Sequence, residues 1–172
     1  MNIILEGPDC AGKTTLATKL LGALLARTGS GEDGITVYHN GVHPDPFHVY
    51  LHQAIASLRS PGTIWDRYWP SNEVYLTGEL LTPHQIEIMT SLGRELKAVV
   101  VMCLPPWKDI HQRWAERIAQ EQVQDIHQMA AIYDRYQEYD SGLPQFTIDP
   151  LKMGEDITGL RRDIHKRWAE YE

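Results

Sequence analysis

The stretch Gly7-Pro8-Asp9-Cys10-Ala11-Gly12-Lys13-Thr14 fits the pattern G-x-x-x-x-G-K-[ST], and its setting in the chain decides the fold. A short apolar segment, residues 2–5, precedes it, and residues 15–27 follow with apolar side chains in two adjacent i, i+4 rows. The pattern therefore lies between a predicted strand and a predicted helix. There the glycines let backbone N–H groups converge on an anion, which the helix N-terminus also favours. The stretch predicts a phosphate-binding loop.

Apolar segments of strand length alternate with segments of helical period along the rest of the chain. Further strands are predicted at residues 35–38, 63–65, 97–103 and 146–148. Helices are predicted at residues 47–58, 83–96, 107–120, 123–139 and 156–171. Strands separated by helical crossovers imply a three-layer α/β fold, with a parallel sheet of about five strands and helices on both faces. Binding sites of such folds lie at the carboxyl ends of the strands.

The composition favours a single domain spanning residues 1–172 and excludes several classes of protein. Sixteen basic and 23 acidic residues give a net charge of −7, which disfavours a protein that mainly coats DNA or an anionic membrane. The two cysteines, Cys10 and Cys103, provide neither a disulfide framework nor a zinc site. The longest apolar run, residues 98–104, is far shorter than the roughly 18 residues of a membrane span. We therefore expect a cytoplasmic protein.

The phosphate-binding loop predicts the donor side of a phosphoryl-transfer site. We expect residues 7–15, ending at Thr15, to hold the phosphates of ATP, with Lys13 reaching the β- and γ-phosphates and the Thr14 hydroxyl binding Mg²⁺. Asp9 is unusual in this loop, because a carboxylate would repel a triphosphate unless it faces another group. Its carboxylate either accepts a hydrogen bond from a sugar hydroxyl or stabilises the turn by bonding its own backbone.

A second group of polar residues follows the third predicted strand. Asp66 lies at the end of that strand and could hold Mg²⁺ through water, and Arg67 could clamp an acceptor phosphate with two hydrogen bonds. The alternative is a surface ion pair between these two residues. Tyr68 and Trp69 come next and are candidates for stacking on a base.

These two motifs resemble the thymidylate kinase family, and in particular its compact bacteriophage members. The resemblance rests on residues 5–15, on Asp66-Arg67-Tyr68, and on Ser71 and Tyr75. It implies a P-loop kinase fold, transfer of the ATP γ-phosphoryl group, contact of Asp9 with the deoxyribose 3′-hydroxyl, and binding of the acceptor phosphate by Arg67. It also implies that Tyr68, Trp69, Ser71 and Tyr75 belong to the acceptor site. If a phage encodes the chain, its compartment is the host cytoplasm.

The family resemblance further implies a short lid, at about residues 105–122, that supplies arginines to the transferring phosphoryl group. Arg113 and Arg117 are four residues apart in this segment, so on a helix they share a face. Alternatively, Arg113 pairs with Asp109, Glu116 or Glu121 on an exposed helix. Members of the family often form homodimers, and a homodimer is the assembly that the resemblance implies.

The chain departs from the family where the acceptor base is read, which leaves two acceptors open. Residues 39–46 replace an Arg-Glu-Pro-Gly segment, and Val74-Tyr75-Leu76 replaces Ala-Tyr-Gln, so the amide that reads thymine is missing. The first acceptor is a free pyrimidine deoxynucleotide, either dTMP or a modified relative such as 5-hydroxymethyl-dUMP. The second is the hydroxymethyl group of 5-hydroxymethyluracil in DNA, for which Asp9 or Asp66 would act as the general base. A regulatory module that binds ATP without transfer is a third hypothesis.

Histidines and aromatic residues outside these motifs have simpler interpretations. His39, His43, His48 and His52 could form a zinc site, line the acceptor pocket or lie on the surface. Four aromatic residues at helical spacing are predicted to pack in the core rather than against a base: Trp114, Tyr133, Tyr136 and Tyr139.

Overall fold

The fold is described from a computed structural model, which describes residues 1–28, 34–41, 43, 45–76, 80–120, 123, 125–154 and 157–169. The five strands found there are β1 Asn2–Glu6, β2 Thr36–His39, β3 Thr63–Asp66, β4 Ala98–Cys103 and β5 Gln145–Ile148. The helices are α1 Lys13–Thr28, α2 Pro46–Ser57, α3 Trp69–Leu76, α4 Pro83–Glu95, α5 Trp107–Arg117, α6 Ile126–Glu138 and α7 Thr158–Trp168. The predicted turn after α1 and the end of the predicted lid fall partly outside the described residues.

The strands form one parallel sheet in the order β2-β3-β1-β4-β5. Leu5 of β1 pairs with Asp66 of β3 on one side and with Val101 of β4 on the other. His39 of β2 pairs with Asp66 in turn. This register brings the carboxyl ends of β1, β2 and β3 to the same edge, and it confirms the predicted α/β fold with a five-stranded parallel sheet.

Apolar side chains on the two faces of the sheet form two core clusters. Ile3, Leu5, Val99 and Val101 point to one face and pack with residues of α1 and α7. Side chains at alternate positions point to the other face, where α2, α3, α4 and α6 cover them: Ile4, Trp65, Val100 and Met102. The strands β1 and β4 are buried throughout, which explains why the sequence of β4 is continuously apolar and that of β1 is apolar at its centre. Helices on both faces give the three predicted layers.

Helix α3 is an element that the sequence did not predict. Its eight residues include the buried polar side chains Ser71 and Asn72 beside the buried Trp69 and Val74. Because buried residues lie on several sides of the helix, no apolar face with helical period appears in the sequence. The helix begins two residues after Arg67 and so fixes the chain beyond β3.

One further feature agrees with an expectation from the sequence. Trp114, Tyr133 and Tyr136 are at most 9% exposed and belong to the core, as predicted. Within the part of the chain that the structure describes, no helix has the length and apolar character needed to cross a membrane.

Candidate active site

A pocket of about 490 Å³ opens at the carboxyl edge of the sheet, where β1, β2 and β3 end. Its walls come from the phosphate-binding loop, from the ends of β2 and β3, and from α5. It is lined by Asp9, Cys10, Gly12, Lys13, Thr14, Thr15, His39, Asn40, Gly41, Asp66, Arg67, Arg113 and Arg117. Six charged side chains that were predicted to take part in catalysis or metal binding, from Asp9 to Arg117, therefore lie around one pocket. More than 100 positions separate the first of them from the last.

The phosphate-binding loop joins β1 to α1 in a conformation that its residue types permit. Gly7 has φ +142°, and a Cβ atom there would lie 2.3 Å from the carbonyl oxygen of Cys103. No residue other than glycine fits so close to β4. Cys10 adopts a left-handed conformation with φ +62°, although it carries a side chain. Gly7, Pro8 and Ala11 are buried and do not line the pocket, so they could contact a ligand only through backbone atoms.

Lys13 lies at the start of α1 with its ammonium group folded back onto the loop. Its Nζ donates hydrogen bonds to the carbonyl oxygens of Gly7 at 2.9 Å and Pro8 at 2.6 Å. Burial, with a smaller contribution from the nearby positive charge of Arg67, lowers the pKa of Lys13 to about 8. This arrangement keeps a cation beside the loop in a site where an anionic ligand would offset the cost of its burial.

Thr14 and Asp66 join the first turn of α1 to the end of β3. The Thr14 Oγ1 donates a 2.6 Å hydrogen bond to Oδ2 of Asp66. The same Oδ2 lies 3.1 Å from Nδ1 of His39, whose side chain is 56% exposed. A hydroxyl and a carboxylate are the oxygen donors that Mg²⁺ prefers, so this pair fits the predicted cation site.

Arg67 has an unusual backbone and two side-chain partners. Its φ is +72°, a left-handed conformation that is rare for a residue with a side chain. The guanidinium donates to Oδ1 of Asp9, and its Cζ lies 4.7 Å from the centre of the Tyr75 ring. The interaction of Arg67 with Asp9 was not predicted, because the two residues are 58 positions apart and only the fold brings them together.

A buried carboxylate lies beneath this part of the pocket. Glu6, at the end of β1, is fully buried and accepts hydrogen bonds from the Tyr68 amide at 2.8 Å, Ser71 Oγ at 2.5 Å and Tyr136 Oη at 3.1 Å. Burial raises the pKa of the Glu6 carboxyl. Glu6 was not predicted as a site residue, although a charged residue at the end of an otherwise apolar strand is a usable signal.

The aromatic residues after Arg67 are not placed as the sequence predicts. Tyr68 and Trp69 are 1% and 0% exposed, and the Tyr68 hydroxyl donates to the carbonyl oxygen of Tyr50. Because core residues cover both rings, they offer no face on which a base could stack, contrary to the sequence-based prediction. Ser71 and Tyr75 are buried as well, and they support Glu6 and Arg67 from below instead of lining the pocket.

The four histidines are not gathered in one cluster. His39 lines the pocket, His43 lies edge-on to Tyr50, and His48 bonds Asp45 at the exposed start of α2. His52 is exposed on the same helix. Within the described ranges, no group of three or more His, Cys, Asp or Glu side chains could hold a metal ion, so the zinc alternative finds no support there.

Arg113 and Arg117 bring positive charge from α5 to the pocket. Both line it, as their spacing on one helical face predicts. Glu121, one of the alternative partners of Arg113, lies outside the described residues. Leu76 ends α3, but its side chain also falls outside the description, so the predicted change in base reading stays a prediction.

Two solved structures share the fold of this chain. The YorR protein from Bacillus subtilis, solved in complex with phosphorylated GDP, is 21% identical, and the match covers 100% of this chain and 99% of that one with a TM-score of 0.73. A deoxyadenosine kinase from M. mycoides with bound dATP is 14% identical, with 96% and 99% coverage and a TM-score of 0.57. No protein-family model and no curated protein matches the sequence. The chain therefore has the α/β fold of the P-loop nucleotide kinases.

Proposed function

We propose that this chain is an ATP- and Mg²⁺-dependent kinase that phosphorylates a pyrimidine deoxynucleotide, either dTMP or a modified relative such as 5-hydroxymethyl-dUMP. The observation that carries the proposal is the convergence of four cationic side chains on one pocket, beside the Thr14–Asp66 pair. Phosphoryl transfer needs positioning and positive charge around the transferred group far more than it needs covalent chemistry. The four cations are Lys13, Arg67, Arg113 and Arg117.

The donor side of this reaction uses the loop and the start of α1. Backbone N–H groups within residues 7–15, except at Pro8, which has none, hold the ATP phosphates, and Lys13 binds the β- and γ-phosphates. Thr14 and Asp66 hold Mg²⁺, which when bound neutralises charge on the phosphates. The two solved structures support a nucleotide ligand, because both contain one, phosphorylated GDP in the first and dATP in the second.

The acceptor side uses Arg67 and Asp9. A guanidinium presents paired N–H donors to a phosphate, and Arg67 is oriented by its contacts with Tyr75 and Asp9. An acceptor phosphate attacks with an oxygen that is already ionised, so the reaction needs no strong general base. The attacking oxygen forms a bond to the γ-phosphorus while the bond to the leaving ADP breaks, and Arg113 and Arg117 offset the charge.

Two observations favour a second candidate, the hydroxymethyl group of 5-hydroxymethyluracil in DNA. The Arg67 guanidinium already bonds a carboxylate, and Asp9 lines the pocket, where it can accept the proton of an attacking hydroxyl. Tyr68 and Trp69 are buried, so they form no platform for the base of a free nucleotide. In this reaction the hydroxyl oxygen bonds the γ-phosphorus, Asp9 takes the proton and ADP leaves.

Label transfer from γ-labelled ATP with Mg²⁺ separates these functions. One acceptor pool holds deoxynucleoside monophosphates, and the other holds DNA with or without 5-hydroxymethyluracil. Label in a pyrimidine nucleoside diphosphate supports the proposal, and label on the modified DNA alone supports the second candidate. Label in inorganic phosphate alone, or ATP binding without transfer, contradicts both. Lys13→Ala serves as the control that should lose transfer to either acceptor.

A further inference from the structure

The pocket wall formed by the end of β2 contains a reciprocal pair of amides. Asn40 Nδ2 donates to Oε1 of Gln53 at 3.1 Å, and Gln53 Nε2 donates back to Oδ1 of Asn40 at 2.7 Å. Asn40 is 8% exposed, whereas Gln53 lies half-buried on α2. Asn40 lies within residues 39–46, the segment that stands where thymidylate kinases have Arg-Glu-Pro-Gly, and the proposed reaction has so far given the pair no role.

Asn40 is poorly suited to reading a base, because both of its side-chain donors are already used. In addition to its bond to Gln53, Nδ2 donates to the carbonyl oxygen of Arg67 at 2.7 Å. An asparagine amide has two N–H donors, and these two bonds account for both. The side chain therefore acts on the protein itself.

The target of Asn40 is the peptide unit that controls the position of Arg67. That residue has φ +72°, which a side-chain-bearing residue adopts only where its surroundings hold it. Three hydrogen bonds do so: the Arg67 amide donates to Leu5, the Tyr68 amide donates to Glu6, and the Arg67 carbonyl accepts from Asn40. Of the three, the bond from Asn40 comes from a pocket-lining side chain.

Asn40 is also tied to the metal side of the pocket through its backbone. Its amide N–H donates a 3.0 Å hydrogen bond to the carbonyl oxygen of Asp66. This bond extends the pairing of β2 with β3 by one residue beyond His39. A substitution of the Asn40 side chain keeps this backbone hydrogen bond to Asp66. Side-chain variants of Asn40 therefore act on Arg67 and leave the contact with Asp66 in place.

We propose that Asn40, oriented by Gln53, is a positioning residue that holds the left-handed Arg67 peptide and so directs the Arg67 guanidinium towards anionic ligands in the pocket. This proposal rests on the proposed function for the identity of the acceptor. The effect of Asn40 on Arg67 does not depend on that identity. It assigns α2 a role in setting the acceptor site, because Gln53 fixes which end of the Asn40 amide faces Arg67.

A double-mutant cycle tests this coupling with two readouts. The cycle consists of Asn40→Ala, Arg67→Ala and the double substitution. A fourth variant, Gln53→Glu, loses the amide donor and gives a milder perturbation. Calorimetry measures binding of inorganic pyrophosphate, which requires no transfer, and label transfer measures the acceptor KM. Gln145→Ala is the matched control, because Gln145 is a partly buried amide that bonds the backbone of Tyr139 away from the pocket.

We expect Asn40→Ala to weaken pyrophosphate binding about fivefold and Arg67→Ala to weaken it more than tenfold, with the double variant no weaker than Arg67→Ala. Gln53→Glu should fall between Asn40→Ala and the wild type, and Gln145→Ala should bind as the wild type. Unaltered binding by Asn40→Ala overturns the proposal, as does unaltered binding by Arg67→Ala, or an effect of Asn40→Ala that persists in the Arg67→Ala background.

The same cycle separates failure of this inference from failure of the proposed function. Coupled pyrophosphate binding in a protein that transfers no label refutes the kinase and leaves the positioning role intact. Label transfer with an acceptor KM that Asn40→Ala does not change, together with additive binding losses, refutes the positioning role and leaves the kinase intact. If Asn40→Ala does not fold, as thermal unfolding would show, Gln53→Glu decides between these outcomes.

Discussion

The Thr14 hydroxyl donates a 2.6 Å hydrogen bond to Oδ2 of Asp66, which links the first turn of α1 to the carboxyl end of β3. Neither residue could form this contact without the pairing of β1 with β3, because 52 positions separate them. Two oxygen donors of the kind that hard cations prefer thus lie within hydrogen-bond distance of each other. The contact connects the geometry of the sheet to the proposed use of Mg²⁺.

Removal of the Thr14 hydroxyl should therefore weaken the response to Mg²⁺. We expect Thr14→Val to raise the Mg²⁺ concentration needed for half-maximal transfer by about tenfold or more, since the hydroxyl ligand and its hydrogen bond to Asp66 are lost together. Thr14→Ser keeps the hydroxyl and should remain near the wild type. Thr18→Val is the control, because Thr18 lies one turn further along α1, exposed, and bonds the Thr14 carbonyl. Equal Mg²⁺ dependence in Thr14→Val and Thr18→Val would contradict the cation site.

Substitution of Arg67 should reveal whether the acceptor carries a phosphate. We expect Arg67→Ala to raise the KM for a deoxynucleoside monophosphate by about 10- to 100-fold, the effect of losing charge-assisted hydrogen bonds worth about 1.5–3 kcal/mol. Arg94→Ala is a suitable control, because Arg94 is an exposed arginine of α4 that donates to the carbonyl oxygen of Gly142. An unchanged acceptor KM in Arg67→Ala would count against a phosphate-bearing acceptor and favour the hydroxyl of a modified base.

Glu6 should make the stability of the folded protein depend on pH. Burial raises the pKa of this carboxyl above its ordinary value of 4.5. In the window between the two pKa values, the folded protein holds a proton that the unfolded chain has lost, so the free energy of unfolding falls as pH rises. In Glu6→Gln this loss is absent. The stability of the variant relative to the wild type should therefore increase as pH rises through that window.

Urea denaturation at a series of pH values from about 4 to 8 measures this difference. Glu95→Gln provides the control, because Glu95 is an exposed carboxylate at the end of α4. Its stability relative to the wild type should change little over the same range. A difference between Glu6→Gln and the wild type that stays constant with pH would contradict a raised pKa of Glu6.

Local signals explain which parts of the fold could be predicted from the sequence. The phosphate-binding loop has fixed spacing, and β4 is a continuous apolar run because both of its faces are buried. The helix α3 has no such pattern, because its buried side chains point to several neighbours at once. The sequence therefore predicts the sheet and most helices, but not the short helix beside the site.

The candidate site shows the same division between local and long-range information. The residue types at positions 9, 13, 14, 66 and 67 predict a phosphate and metal site, since each motif is complete within a few residues. Which partner each side chain takes depends on contacts across the sheet, such as that between Asp9 and Arg67. The burial of Tyr68 and Trp69 likewise depends on packing against α2 and β3, which their sequence position does not reveal.

Gly7 should be among the least tolerant positions for stability. A Cβ atom there would lie 2.3 Å from the carbonyl oxygen of Cys103, and its φ of +142° disfavours any side chain. We expect Gly7→Ala to destabilise the protein by about 3 kcal/mol or more, because backbone of β4 would have to move. Gly22→Ala, in the open middle of α1 with nothing within 4 Å, should instead stabilise by about 0.5–1 kcal/mol. Chemical denaturation measures both, and a neutral Gly7→Ala would contradict the close approach of the loop to β4.

Arg113 should contribute to the transition state more than to binding. It lies one helical turn from Arg117 on α5, and both line the pocket that Lys13 and Thr14 also line. Because charge on the transferred phosphoryl group is most spread in the transition state, we expect Arg113→Ala to lower kcat by about 100-fold or more while the KM for ATP changes far less. Arg162→Ala, an exposed arginine on α7, should leave kcat unchanged. A kcat for Arg113→Ala close to that of Arg162→Ala would mean that Arg113 supplies no charge to the reaction, and Lys13, Arg67 and Arg117 would have to offset it alone.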